Sequence, residues 1–229
     1  MPSTITKCAY LQIPLEDVLE ATNNFHDDNI IGHERFGTAY KGRLSRSGRL
    51  MEIVARSQTL TWTQRLKICV GVARALSYLH HSEGRDYSII HCNINSDTIL
   101  LDESWESKLS GFDFFIKQSV KYKDQVCLFE HTLRMGCMDP VIEKTGGVTH
   151  KSDIYSFGVV LFELLCGRRA FIQKEVDLSL APLAECHYEN GTLQDIILPD
   201  LYCNQILSPQ SLLKYSSVAY SCLSEGRAY

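Results

Sequence analysis

The stretch from Ile154 to Cys166 constrains this chain most. It reads Ile154, Tyr155, Phe157, Val159, Val160, Leu161, Phe162, Leu164 and Leu165 with almost no polar interruption. A helix that is apolar nearly all round has to lie inside a domain rather than on its surface. This one carries Glu163 and is too short to cross a bilayer, which takes about 20 residues. The pattern predicts a start near Ser152 or Asp153 and a stop at Gly167. Arg168 and Arg169 follow where positive charge suits the helix dipole. Such a helix needs other elements to cover it on every side.

The best covering candidate begins at Thr61. Thr61-Trp62-Thr63-Gln64 has a hydroxyl at a helix start and Gln three residues later, the pattern of a capping box. Trp62, Leu66, Cys69, Ala73 and Leu76 then repeat with 4-3-4-3 spacing, one face of an amphipathic helix ending near His81. Upstream, Leu15 to Ala21 reads as a short helix behind Pro14. Ile30 to Arg43 reads as two strands around a glycine turn, and Met51 to Ala55 as a third strand. Ile89-Ile90 and Ile99 to Leu101 read as short buried strands with a polar loop between them. From Glu185 onward the sequence alternates loops with two shorter helical patterns, the second from Leu212 to Cys222.

Bulk properties exclude several classes. The chain has 229 residues, 45% of them hydrophobic and 22% charged, which argues against disorder. A net charge of −4 and the lack of a basic run give no footing for nucleic acid. Nine cysteines at wide spacings, with no CxxC, suit a reduced intracellular protein. His80, His81, His91 and Cys92 show no repeated ligand spacing, so no metal site is expected. Met1-Pro2-Ser3-Thr4 has neither a signal-peptide pattern nor Gly at position 2, so neither secretion nor myristoylation is expected.

Read in order, the pieces resemble the plant receptor-like and receptor-like cytoplasmic protein kinases. Leu15 to Phe25 looks like that family's lead-in to the catalytic domain, and Ile31 to Gly42 like its glycine-rich loop. Leu60 to His80 resembles the helix before the catalytic loop, and His91 to Asp102 the loop itself. Lys151 to Val160 is similar to the central buried helix. The resemblance implies an α+β, two-lobed kinase-like fold as a single domain over residues 1–229. It divides into a lead-in segment (1–29), a reduced strand lobe (30–58) and a helical lobe (59–229) expected to be cut short at its C-terminus.

The departures from the family pattern concern catalysis. Kinase chemistry is mainly positioning and charge neutralisation around the transferred phosphoryl group. The third-strand Lys falls on Ser57, and Arg56 points to the opposite face of a strand. The catalytic Asp falls on Asn93, whose amide cannot take a proton from a hydroxyl; losing a general base costs about 10²–10⁴-fold. The nearby Lys falls on Asn95, and the metal-binding Asn on Thr98, with Asp97 one position off as a solvated loop residue. The metal-binding Asp falls on Gly111 of Gly111-Phe112-Asp113, and Asp113 lies about 6.6 Å further along an extended chain. Glu34 stands at the second glycine of the phosphate loop. Val141 replaces an anchoring Glu whose Arg partner would fall beyond Tyr229. Phe112 is expected to pack on His91. The helix and strands that normally follow the third strand are missing after Ser57.

The resemblance therefore implies a pseudokinase with no intact catalytic set, acting as a binding or regulatory module in receptor-kinase signalling. The alternatives are a residual ATP-dependent Ser/Thr kinase, or a truncated product without selected function. A weak nucleotide pocket is implied at Ile31, Gly32, Phe36, Gly37, Ala39, Ala55 and Leu100; ATP binding would be weak, with no magnesium and no required cofactor. The expected partner is a protein, with a receptor-like kinase as the first candidate. An uncovered strand edge after the gap makes a homo-oligomer the other option. The expected location is cytoplasmic, reaching the plasma membrane only through a partner.

Overall fold

The computed structural model describes residues 14–34, 37–42, 44–46, 49–51, 60–81, 84–102, 104–123, 125–129, 136–171, 179–203 and 208–225. By contact the chain forms two units, Met1–Gln58 with Leu100–Glu106, and Thr59–Ile99 with Ser107–Tyr229.

The first unit contains helix α1 (Leu15–Ala21) and two antiparallel ribbons. Thr22 ends α1 by turning its hydroxyl back to the Val18 carbonyl at 2.7 Å. Asn23, Asn24 and Phe25 then adopt positive φ, a cost that Asn meets most easily. Strands β1 (Ile30–Glu34) and β2 (Gly37–Tyr40) pair with Gly32 opposite Ala39 and Glu34 opposite Gly37. The expected strand at Met51 to Ala55 is described only at its first residue. Met51 closes β4 (Arg49–Met51), which pairs with β3 (Leu44–Arg46).

The second unit is mostly helical. Helix α2 (Trp62–His80) opens on the capping box read from the sequence: the Thr61 hydroxyl takes the Gln64 N–H, and the Gln64 side chain takes the Thr61 N–H. Its apolar face needs correcting, because Leu66 and Ala73 are exposed. The buried set is Trp62, Arg65, Ile68, Cys69, Val72, Leu76, Leu79 and His80. The helix has two apolar faces, and the one carrying Ile68 and Val72 is the one the core takes. Arg65 is buried, and its guanidinium caps the Leu60 and Leu164 carbonyls. Burial lowers its pKa.

Helix α4 (His150–Cys166) is the buried centre. It starts earlier than expected, because Thr149 and Ser152 form a second capping box. The Gly167 cap is left-handed, at φ 66°. Gly158 lets helix α7 (Pro209–Glu225) cross closely: a Cβ there would meet Cys222 at 2.8 Å and Leu223 at 3.0 Å. Helix α5 (Leu180–Glu189) packs on both. Among the described residues the tail holds three α-helices where two helical patterns were expected, since α5 begins before Glu185 and the short α6 (Pro199–Cys203) follows it.

In this unit β5 (Tyr87–Ile90) pairs with β8 (Ile116–Ser119); β6 (Ile99–Leu101) and β7 (Ser107–Leu109) form another short pair. The residues of β6 are half-buried, not buried as expected. Strand β9 (Cys127–Leu128) pairs with β10 (Gly147–Val148) beside α3 (Pro140–Thr145). A satellite core of Ile90, Cys92, Phe129, Ile142 and Val148 sits beneath these short strands. The seven cysteines whose side chains are described are thiols outside any disulfide. Among the described residues no helix is long and apolar enough to cross a membrane.

Candidate functional site

The segment from His91 to Thr98 is held at two levels. Its first half hangs from Asp153, near the start of α4. The carboxylate accepts the His91 N–H at 2.8 Å, the Cys92 N–H at 2.9 Å and the His80 Nε2–H at 2.8 Å. Asp153 is 1% exposed, so these donors substitute for water around a buried charge. Cys92 takes φ 63° to present its N–H. The His91 ring is fully used: Nδ1 accepts the Asn93 N–H at 3.2 Å, which leaves Nε2–H to donate to the Ser110 carbonyl at 3.0 Å. Burial lowers its pKa, against the pull of Asp153 and the Ser110 carbonyl. Phe112 lies on this ring at 4.4 Å between centroids, as expected.

The second half closes on itself. Asn95 Nδ2 donates to the Asn93 Oδ1 at 3.0 Å and to the Asn93 carbonyl at 3.1 Å. Asn95 Oδ1 accepts the Asp97 N–H at 3.0 Å. Thr98 Oγ1 accepts the Asn95 N–H at 3.1 Å and lies within donating distance of the Asn93 and Asn95 carbonyls. Asn93 Nδ2 reaches the Gly111 carbonyl at 3.4 Å. Gly111 itself has φ 74°, and a Cβ there would stand 2.5 Å from the Thr98 methyl. Asn93, Asn95, Thr98 and Gly111 are therefore brought together, as neutral groups bonded to one another. Ser57 lies outside the described residues.

The nearby carboxylates point elsewhere. Asp97 is exposed and pairs with Arg169, whose guanidinium also reaches Ser96. Asp113 is exposed on the turn Phe112–Phe114. Val141 sits in the first turn of α3, capped by Asp139. Among the described residues no group of three or more His, Cys, Asp or Glu could hold a metal ion. The magnesium that kinase chemistry uses does not fit this donor set, because magnesium wants carboxylate or water oxygens in octahedral array. The Asn and Thr oxygens here are engaged within the loop. Of the expected nucleotide positions, Ile31 and Gly32 lie on β1, Gly37 and Ala39 on β2, and Leu100 on β6. Phe36 and Ala55 lie outside the described residues.

The sequence reading missed two participants. His80 entered it only as a metal candidate, yet it is the side-chain partner of Asp153. His150 stacks edge-on against His80 at 4.7 Å, and its Nε2 is buried with no hydrogen-bond partner among the described residues. Burial holds the His150 pKa down to about 4. The clue available for His150 was its place directly after Thr149, at a helix start. For His80, 73 residues from its partner, no local pattern existed.

Residues 41–187 match the family model described as protein tyrosine and serine/threonine kinase. Among curated proteins the chain is similar to three Arabidopsis thaliana receptor-like protein kinases. It is 40% identical to ANXUR2 over 72% of this chain and 37% identical to FERONIA over 77%. It is 30% identical to HERK 1 over 97% of the chain. The chain spans 19%, 20% and 34% of those relatives' lengths. The alignment with HERK 1 runs over 285 positions against 229 residues in the whole chain, so tens of the relative's residues have no counterpart here.

Proposed function

Because the chain belongs to the protein tyrosine and serine/threonine kinase family, with plant receptor-like kinases among its relatives, we propose that it is a pseudokinase acting as a binding or regulatory module. The observation that carries this reading is the closed neutral network of Asn93, Asn95, Thr98 and Gly111. Phosphoryl transfer needs a base within hydrogen-bond reach of the attacking hydroxyl and metal ligands beside the phosphates. An amide has no basic site at neutral pH, and the network's acceptors already have donors. The unfilled positions in the HERK 1 alignment support a chain shorter than the matching part of that relative, and this reading puts the shortening in the strand lobe after Ser57, where Lys is expected.

In this reading nucleotide binds weakly and without help from magnesium, through Ile31, Gly32, Phe36, Gly37, Ala39, Ala55 and Leu100. The module works by occupying a protein partner, a receptor-like kinase being the first candidate, and reaches a membrane only through it. The test is transfer of labelled phosphate from ATP to a generic protein substrate, with magnesium or manganese. No transfer above a protein-free blank is expected. Transfer that disappears in Asp113→Ala or Thr98→Ala would overturn the reading, because it would show a working site built on those residues.

A further inference from the structure

Two thiols that take no part in the network above share one small core. Cys92 belongs to the buried cluster of Ile90, Phe129, Ile142 and Val148, and Cys127 packs against that cluster from β9. They are near enough to feel each other's charge. Burial raises the pKa of Cys92 most, followed by the charges of Asp153 and of a Cys127 thiolate.

The two sulfurs are held very differently. Cys92 is 5% exposed, and Asp153 pins its backbone N–H at 2.9 Å. Its thiol makes a weak contact with the Ile90 carbonyl at 3.7 Å. Cys127 is half-buried on a strand of two residues, whose ladder is Cys127 with Val148 and Leu128 with Gly147. On either side of it, Val126 and Leu128 are 55% and 80% exposed. Backbone this open and this thinly paired shifts at little cost. Disulfide closure needs Cα atoms about 4.4–6.8 Å apart, and a shift of β9 toward the pinned loop can supply that approach.

We propose that Cys92 and Cys127 form a disulfide when the chain meets hydrogen peroxide, tying the loop after β5 to β9. Cys127, the sulfur that solvent reaches, reacts first. Its thiolate attacks one peroxide oxygen, the O–O bond breaks, and the departing hydroxide leaves as water with the proton the thiol gave up. The product is a sulfenic acid. The Cys92 sulfur then attacks the Cys127 sulfur, the S–O bond breaks, and a second water leaves with the Cys92 proton. Two thiols lose two electrons and two protons, and the peroxide is reduced to two waters. Burial raises the pKa of both thiols, so thiolate is scarce and the pair stays reduced until oxidant persists. A transient disulfide of this kind is compatible with a reducing compartment. The inference goes beyond the binding-module reading and needs neither nucleotide nor partner, so its test is independent of the phosphate-transfer assay.

The test is a peptide map of the full 229-residue chain after exposure to a small molar excess of hydrogen peroxide. Remaining thiols are alkylated, and trypsin is applied without reductant. Trypsin puts Cys92 on Asp86–Lys108, Cys127 on Asp124–Arg134 and Cys137 on Met135–Lys144, one cysteine to each peptide. The expected product is Asp86–Lys108 joined to Asp124–Arg134, released by a thiol reductant and formed within a monomer. Oxidation should also raise the melting temperature by about 5 °C or more. Cys127→Ser, a half-buried and mild change, should remove both the joined peptide and the shift. Joining of Cys92 or Cys127 to any other cysteine would overturn the proposal, as would oxidation of Cys127 to sulfinic acid without a link. So would a link as abundant in the urea-unfolded chain, a link confined to covalent dimers, or a melting shift that survives in Cys127→Ser.

Discussion

The two halves of the catalytic-loop segment solve the same problem in opposite ways. Residues 91–92 are tied to a buried charge, with Asp153 taking two backbone N–H groups and His80. Residues 93, 95 and 98 are tied to each other through amides and a hydroxyl, none of them charged. The first arrangement supplies rigidity from outside the loop, and a helix buried throughout the core holds it in place. The second supplies shape only. In a working kinase both halves would carry charge, the first to hold the loop and the second to act on substrate. The side chains at 93, 95 and 98 carry none.

The largest expected effect lies in the charged half. Asp153→Ala leaves three buried donors without a partner, and breaking such a set typically costs about 3–5 kcal/mol. Urea denaturation of the variant should show that loss or a failure to fold. If Asp153→Ala costs no more than Asn95→Ala, the contrast between the halves collapses.

Restoring charge to the neutral half should come next in size. Gly111→Asp places a side chain at φ 74° and against the Thr98 methyl, and strain of this kind costs about 1–3 kcal/mol. Pairing it with Thr98→Ala should recover part of the loss in a double-mutant cycle. A fully stable Gly111→Asp would mean the loop readily accepts a carboxylate.

Within the neutral half, Thr98→Val keeps the shape but removes the acceptor of the Asn95 N–H. A loss of about 1–2 kcal/mol is expected in the same denaturation assay. A neutral result would show that the network can rearrange around its hydroxyl.

The effect that is smallest at neutral pH is that of protonation. His150 faces His80, Asp153 and Lys123, and burial depresses its folded pKa to about 4 from an ordinary 6.5. The unfolded chain therefore binds more protons between those values, so stability is full above pH 6.5 and falls as the pH drops toward 4. His91 is depressed in the same direction. His150→Gln should flatten the slope of melting temperature against pH in that window. An unchanged slope would assign the acid sensitivity to His91 or to the carboxylates.

Local pattern alone was enough for much of this molecule. The Thr61–Gln64 capping box, the all-round apolar helix before Gly167 and the glycine-turn ribbon each depend on neighbours within a few residues. The order of side chains determines them. The identities at 93, 95, 98 and 111 were equally legible, because a motif is read position by position. What those residues do to one another was not. Asn93 and Gly111 are 18 residues apart, and Asp153 is 61 to 73 residues from the groups it binds. Only the packed chain brings them within 3.5 Å. The burial phase of α2 was likewise undecided, since two apolar faces satisfy the same helical period. The core takes the face of Ile68 and Val72 and leaves Leu66 and Val70 to solvent.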